Sequence, residues 1–460
     1  MTTLPEANAK FALDFFRRLS SEHPSDNLLF SPLNLSAACG LLLQGSAGNT
    51  AAELEKVLHW DELKEREKVR NTRYLTTRLR TSASPAKFQE KDKIYSRPYP
   101  EQRTKPHDDR RTAPEPQHTK PRVDRRQTPQ QPSPGSEPEA PACPQTCVLE
   151  YECENPEGVH TAFSNILAEL NKPSTNYFLS FAKKLFGDQA IAFNQEFLFC
   201  ALKLYLTEVG RADFHMAPEE VRRLINLWVE VRSHGEIKDI IPENSLDCLT
   251  QLLMVNTTYF KGLWEIQFNK ELTEEAPFYT HEKTSHTVQL MHTRGTYNTG
   301  LIHLSNVDVQ VLEMPYKNHE MSLFILLPKD RSAESLLQLE DALSHVELLD
   351  WSHYLEPEDV EVAIPKFRME KTAEADKYLN VSQINDAEKA DFSGAMAVHG
   401  VALSQLVHDT LFEVDEEGGK EPATKKAQYQ HFVADHPFLF YVLHKFTHSI
   451  IIFGRFSKPE

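Results

Sequence analysis

The chain has 460 residues, 40% of them hydrophobic, so it can bury a large core. Its formal net charge of −17 argues against general nucleic-acid affinity. No segment reaches the roughly 18 apolar residues of a membrane span, and residues 1–20 lack the pattern of a cleavable signal peptide. We therefore expect no membrane contact and a cytoplasmic or nuclear address, with signal-less secretion as an alternative.

The first elements are helical. Phe11, Phe15 and Leu19 recur at helical spacing, and residues 28–48 are apolar enough to be buried on most sides. Composition then changes, because residues 85–144 hold 13 of the 28 prolines. Residues 64–126 carry 19 Lys and Arg against 9 Asp and Glu, a net charge of +10, which leaves −27 for the rest. Such a stretch cannot offset the cost of ordering it, so 61–157 is predicted to be a disordered insert.

Regular structure resumes after the insert. A stripe beginning at Val159 predicts one helix, and Val221, Leu224, Ile225 and Trp228 predict another. Strands follow. Residues 307–311 alternate and lead through a polar turn into residues 321–328, and the apolar runs 437–443 and 449–456 flank another turn. The chain is therefore predicted to be an α+β protein with helices early and sheets late.

The cysteines give a further indication of compartment and of metal binding. They lie at Cys39, Cys143, Cys147, Cys153, Cys200 and Cys248. The first and the last two are isolated in globular segments, which is typical of buried, reduced thiols. The middle three lie near His160, but their spacing is not a standard zinc pattern. We expect no metal site, no cofactor and no catalytic centre, since phosphate loops and nucleophile elbows are also lacking.

Five segments together resemble the serpin family, and closely its ovalbumin-type, clade B-like, intracellular branch. They occur in the family's order at residues 27–60, 225–241, 254–268, 360–367 and 432–456. The resemblance implies one domain over 1–460, with about eight or nine helices around three β-sheets and the insert between the third and fourth helices. It also implies inhibition of serine or cysteine proteases, not enzyme activity. Family inhibitors insert a cleaved reactive loop into the central sheet as a new strand.

The resemblance also assigns roles to individual residues. Ser31, Pro32, Asn256 and His408 match the family's shutter, beneath the point where the central strands part, and Trp264 matches its breach tryptophan. In the hinge, Glu416 is expected to approach its usual partner, Lys366. An exposed pair of this kind contributes only about 0–1 kcal/mol, so it positions the hinge more than it stabilises the fold.

The reactive-loop region, 413–437, departs from an inhibitor. Glu416, Glu417 and Gly418 keep the family framework. The family's hinge then typically has a threonine, a glutamate and a run of alanines, whereas this chain has Gly419, Lys420, Glu421 and Pro422. Proline lacks the N–H that a central strand needs, and glycine weakens a strand. The loop is also short, because the 13 residues 419–431 extend to about 43 Å at most. Cleavage at the exposed pair Lys425 and Lys426 would make the chain a substrate.

Three hypotheses remain open. The chain is a non-inhibitory serpin that binds an unknown protein partner, or a functional protease inhibitor, or a nuclear protein that binds nucleic acid through the basic residues 64–126. Pro422 and the short loop favour the first over the second. A solvated, disordered insert is the simpler interpretation of the basic segment, and the insert would also be explained by an error in the gene model.

Overall fold

The computed structural model describes residues 2–63, 151–154, 158–281, 284–351, 354–423 and 429–459. The chain divides into two units, residues 1–75 with 151–460 and residues 76–150, and the second lies outside the described residues. Whether 1–460 is one domain therefore stays a prediction.

Eight α-helices occur within the described ranges. The first begins at a capping box, in which the Thr3 hydroxyl accepts from the Glu6 N–H and the Glu6 carboxylate accepts from the Thr3 N–H. The helices are α1 Leu4–Glu22, α2 Pro32–Gly45, α3 Gly48–Val57, α4 Val159–Leu170, α5 Gln195–Tyr205, α6 Pro218–Arg232, α7 Ala333–Ala342 and α8 His345–Leu349. None of these helices is long and apolar enough to cross a membrane.

Sixteen strands occur in the same ranges. They are β1 Leu28–Phe30, β2 Tyr177–Asp188, β3 Glu208–Ala212, β4 Leu252–Gly262, β5 Trp264–Ile266, β6 Glu274–His281, β7 Thr284–Leu304, β8 Val307–Pro315, β9 Met321–Pro328, β10 Glu356–Pro365, β11 Phe367–Glu374, β12 Leu403–Val414, β13 Gly418–Lys420, β14 Gln430–Val433, β15 Phe438–His444 and β16 Ser449–Phe456. The two predicted hairpins are confirmed as β8–β9 and β15–β16. Every residue of β15 and β16 is buried, as their continuous apolar runs indicate.

The strands form three sheets. A nine-stranded sheet has the order β1-β16-β15-β9-β8-β7-β10-β14, with β6 also paired to β7. A central sheet has the order β11-β12-β4-β2-β3, and β13 pairs with β5 in a third, two-stranded sheet. The predicted α+β fold of about eight helices and three sheets is confirmed.

The central sheet has two covered faces. On the inner face, alternate residues of β4 and β12 such as Met254 and Leu406 join the main core with α2. On the outer face, the intervening residues, such as Val255 and Val407, form a second apolar cluster with α6. This alternation places successive residues of one strand in two different environments.

Both edges of the predicted insert 61–157 need correction. Residues 61 and 62 belong to a 3-10 helix, Trp60–Glu62, and Leu63 is buried. At the other edge, Tyr151 packs against Phe199 on α5 with 5.6 Å between the ring centres. A single apolar residue packs at each edge. The average composition of the polar, proline-rich stretch does not reveal such single residues. Residues 64–150 and 155–157 lie outside the described residues.

The expectation of three reduced thiols is wrong for Cys200. It forms a disulfide with Cys153, with 5.4 Å between the Cα atoms, because the end of the insert folds back onto α5. Cys39 is buried and free, and burial raises the pKa of its thiol to about 12. Cys248 is free but exposed, so it is not the buried thiol that its isolated position in a globular segment suggested.

His160 belongs to the core. It is buried, its Nδ1 contacts the Tyr205 hydroxyl, and burial lowers the pKa of its imidazole to about 3. No group of three or more His, Cys, Asp or Glu side chains in the described ranges could hold a metal ion. Cys143 and Cys147 lie outside those ranges.

The predicted stripe on α6 is partly wrong. Val221 and Ile225 are buried, as expected, but Leu224 is exposed and Trp228 is only half-buried. The buried face is completed by Arg222, Asn226 and Val229. The apolar pattern therefore placed the stripe on a face next to the one that is buried, because two of the buried positions are polar.

A buried charge network offers a test of the fold. The Arg455 guanidinium on β16 is fully buried and donates to the Glu340 carboxylate at 2.8 Å and to the Ser20 hydroxyl at 2.8 Å, joining α7 and α1. We expect Glu340→Ala to lower the free energy of unfolding by about 3–5 kcal/mol, since it leaves a buried charge without its counter-ion. Urea unfolding measures this.

The control is Glu334→Ala, at an exposed position in the first turn of the same helix. A surface change of this kind should alter stability by no more than about 0.5 kcal/mol. Equal effects of the two substitutions would contradict the assigned role of the network.

Candidate functional site

The predicted shutter residues lie together beneath the central sheet. Ser31 is the N-cap of α2 and Pro32 occupies its first turn, where proline is favoured. The Ser31 N–H donates to His408 Nε2 at 3.0 Å, and the Ser31 hydroxyl donates to the Ile451 carbonyl at 2.6 Å. The start of α2 is thereby tied to β12 and to β16. The role of these residues in sheet opening stays a prediction.

His408 is a neutral structural side chain. Because its Nε2 accepts from Ser31, the ring proton must lie on Nδ1. Burial lowers the pKa of the imidazole to about 3, so it remains uncharged at neutral pH. Asn256 lies directly opposite on β4, and its amide donates to the Asn34 carbonyl at 2.8 Å. The arrangement holds two strands and a helix together and offers no catalytic base.

A third polar residue continues this row. Lys183 on β2 lies opposite Asn256, so Lys183, Asn256 and His408 run across three adjacent strands on the inner face. Burial lowers the pKa of the Lys183 amine to about 8. The amine lies 5.8 Å from the centre of the Phe181 ring, and no hydrogen bond or salt bridge to it is found among the described residues. Sequence reasoning missed Lys183, although a lysine in the strand pattern FAKKLF is the signal that could have found it.

Trp264 is the first residue of β5, two positions after β4 ends at Gly262. Its ring stacks on Tyr316 with 4.5 Å between centres, and its Nε1–H donates to the Asp415 carbonyl at 2.7 Å. Its backbone N–H donates to the Glu417 carbonyl at 2.9 Å. The predicted breach tryptophan therefore contacts the hinge on both sides of Glu416.

The expected contact between Glu416 and Lys366 is present. Lys366 Nζ lies 2.7 Å from the Glu416 carboxylate, which also accepts from the Thr273 hydroxyl at 3.2 Å. Burial alone would raise the pKa of Glu416, but these hydrogen bonds hold it below its usual value. Glu416 is buried and Lys366 is half-exposed, so the pair positions the hinge at a modest gain in stability.

The chain after the hinge runs along the body of the protein. Gly418 and Lys420 in β13 pair in parallel with Trp264 and Ile266 in β5. A side chain at Gly418 would lie 2.6 Å from the Gln267 Cα, so only glycine allows this approach. The Lys420 ammonium contacts the Glu265 carboxylate and holds its pKa below the usual value.

The loop remains docked beyond β13. The Ala423 N–H donates to the Arg294 carbonyl on β7 at 2.9 Å. Pro422 lines a cleft of about 160 Å³ between the loop and β7, with Glu421, Ala423, His292 and Arg294 among the other lining residues. Lys425 and Lys426 lie outside the described residues. Strand β12 ends at Val414 and β14 begins at Gln430, so the predicted reactive-loop region 413–437 includes the end of β12 and the whole of β14; its extent stays a prediction.

The central sheet is closed. Strands β12 and β4 pair in parallel from Leu403 opposite Leu252 to Glu413 opposite Lys261. Lys261 clasps the end near the hinge, with its ammonium 2.7 Å from Asp415 and 3.5 Å from Glu413. Burial would lower the pKa of Lys261, but the Asp415 contact raises it above its usual value. A strand that entered between β4 and β12 would have to break these two contacts of Lys261.

We predict that Lys183→Met stabilises the protein at neutral pH. The folded-state pKa of Lys183 is depressed, so below pH 8 the amine is charged in both states and the full cost of burying it applies. The cost disappears as the pH rises towards 10.5, the usual lysine value. Methionine should therefore add about 2–3 kcal/mol of unfolding free energy at pH 7 and little at pH 10.5.

The matched control is Lys184→Met. Lys184 is the next residue on β2, but it is only partly buried and its ammonium lies 3.5 Å from Glu208. Urea unfolding of both variants between pH 7 and 10.5 would separate them. If the two variants show the same pH profile, Lys183 does not carry an uncompensated charge.

Sequence comparison identifies a protein family and several relatives that match this chain. A family model described as "Serpin (serine protease inhibitor)" matches residues 6–106 and 145–459. Human Serpin B4 is 30% identical over 472 residues, covering 100% of each chain, and human plasminogen activator inhibitor 2 is 30% identical over 474 residues with the same coverage. Chicken ovalbumin-related protein Y is 27% identical over 471 residues, again with 100% of each chain covered.

Solved structures agree with this fold. The structure of a tumour suppressing serpin superposes with a TM-score of 0.73 at 26% identity, covering 100% of both chains. Uncleaved ovalbumin superposes with a TM-score of 0.75 over 100% of both chains, and its 24% identity bears on the fold alone. The chain therefore belongs to the serpin family, in its ovalbumin-type branch.

Proposed function

We propose that this serpin does not trap proteases and acts by binding a protein partner. The observation that carries the proposal is the segment from Gly418 to Ala423, which an inhibitor would have to insert into its central sheet. Here Pro422 follows the charged residues Lys420 and Glu421, and the segment is held outside the sheet by β5, Glu265 and Arg294.

Insertion would cost backbone hydrogen bonds and solvation. Pro422 has no N–H to donate, and an inserted strand between β4 and β12 has no solvent-facing edge. In an inserted strand, the side chains of Lys420 and Glu421 would point to opposite faces of the sheet, so at least one of them would point into an apolar layer. Desolvating an unpaired charge there costs several kcal/mol.

The inner face of the sheet adds a second barrier. A strand that turns back at Glu416 and runs antiparallel to β12 would bring the Lys425–Lys426 pair close to the level of His408. That level already carries the buried amine of Lys183, two strand spacings or about 10 Å from the entering strand. Like charges in an apolar interior repel, so this sequence is poorly matched to this sheet.

Inhibition is the second candidate. The relatives include proteins named leukocyte elastase inhibitor, one of them human and 29% identical over 474 residues. The hinge contact between Glu416 and Lys366 and the breach contacts of Trp264 are what an inhibitor would also need. A serine or cysteine protease would then be the partner.

Two further proposals concern nucleic-acid binding and the cellular address. Nucleic-acid binding through 64–126 stays a hypothesis, since that segment lies outside the described residues. For the cellular address we propose the cytoplasm or nucleus, with signal-less secretion as the alternative. The Cys153–Cys200 disulfide favours that alternative, because disulfides persist in oxidising compartments.

The proposal predicts the outcome of incubation with trypsin-like and cysteine proteases. We expect cleavage after Lys425 or Lys426, full retention of protease activity and no SDS-resistant covalent complex. Electrophoresis, mass spectrometry of the fragments and residual protease activity measure these outcomes. A covalent complex formed at a ratio near one protease per chain would contradict the proposal.

The control is the double variant Lys425→Ala and Lys426→Ala, which removes both trypsin sites in the loop. It should resist cleavage in this region and leave protease activity unchanged. If the original chain inhibits trypsin and the double variant does not, the loop is a working bait and the second candidate is correct.

A further inference from the structure

A carboxyl group lies in the apolar layer that α6 and the segment following it form over the outer face of the central sheet. Asp409 on β12 is 0% exposed and faces outwards, as do its alternate neighbours Val407 and Leu411. Both neighbours pack in the second apolar cluster with Ile225 and Val229 of α6. An ionised carboxylate in such surroundings is strongly disfavoured unless it is paired and hydrogen-bonded.

The hydrogen bonding of Asp409 suits a neutral acid better than a carboxylate. One oxygen, Oδ2, accepts from the Thr372 hydroxyl on β11 at 2.7 Å. The other, Oδ1, has no hydrogen-bond partner among the described residues. On β4 the directly opposite residue is Thr257. An ionised carboxylate can accept about four hydrogen bonds, and here it would have one.

Within the described ranges, no ion pair to Asp409 is found on the outer face. On β11 the residues beside Thr372 on this face are Glu370 and Glu374, both acidic. Four basic residues on the neighbouring elements form ion pairs elsewhere: Arg368 with Glu236, Lys261 with Asp415, Lys184 with Glu208 and Arg222 with Glu219. His408 faces the inner side and is neutral.

We propose that Asp409 makes the seating of α6 on the central sheet depend on pH, so that α6 is held firmly while the carboxyl is protonated and is loosened when the carboxylate forms. This pH dependence is a property of the closed sheet and does not require the loop to enter the sheet. It is therefore independent of the proposed function and would hold for an inhibitor as well.

The direction of the effect follows from the burial. Burial raises the pKa of Asp409 to about 7, with an opposing effect from the Thr372 hydrogen bond and a further increase from Glu370. Because this value exceeds the usual 3.8, the stabilisation from protonation is complete below pH 3.8 and is lost as the pH rises through about 7. The switch thus lies within the physiological range.

Hydrogen exchange of the full chain tests the proposal. Peptides from α6, residues 218–232, are compared at pH 6 and pH 8 after correction for intrinsic exchange rates, in the original chain and in Asp409→Asn. The opening equilibrium of α6 should increase about tenfold between the two pH values in the original chain, and it should be nearly unchanged in the variant. Equal pH dependence in both proteins would overturn the proposal.

Two further variants decide the matter even if Asp409→Asn does not fold. Thr372→Val removes the donor to Asp409, so the midpoint of the pH dependence should move to higher pH. Glu370→Gln removes a nearby negative charge, so the midpoint should move to lower pH. Midpoints that stay in place, or that move in the same direction, would rule out Asp409 as the titrating group.

Discussion

The parallel pairing of β4 with β12 is the constraint on which the rest of the structure depends. It closes the central sheet, gives both of its faces their apolar cover and fixes where the hinge begins. The start of α2 is tied to it through Ser31 and His408, and its end near the hinge is clasped by Lys261. Serpin inhibition requires β4 and β12 to separate. Any interaction that strengthens their pairing, and any residue that prevents the loop from forming a strand between them, therefore opposes inhibition.

The same two strands place polar groups on both of their faces. The inner row of Lys183, Asn256 and His408 faces α2, and Asp409 lies one residue further along β12 on the side of α6. Burial lowers the pKa of the amine on one face and raises the pKa of the carboxyl on the other, so we expect the stability of the closed sheet to change with pH in opposite directions at the two sites. A loop rich in lysine is poorly suited to enter such a sheet.

The fold was predictable wherever the pattern is local. Helix α4 and the hairpin β15–β16 follow from periodicity and apolar runs, and the Glu416–Lys366 contact follows from the family resemblance. The burial of Asp409 was not predictable, because it depends on strand register and on the segments that cover the outer face, which composition does not reveal. Lys183 was missed although its place in the strand pattern FAKKLF was a usable signal. The Cys153–Cys200 disulfide was missed because its first cysteine belongs to a stretch that composition assigned to the insert.

The central claim is that the loop cannot become a strand of the central sheet. Thermal unfolding before and after nicking the loop with trypsin tests it most directly, since serpin inhibitors gain stability when the cut loop inserts. We expect the melting temperature to be unchanged by the nick, because Pro422, the charged residues and the short span prevent insertion. A large rise in melting temperature would show that the loop enters the sheet and would contradict the account.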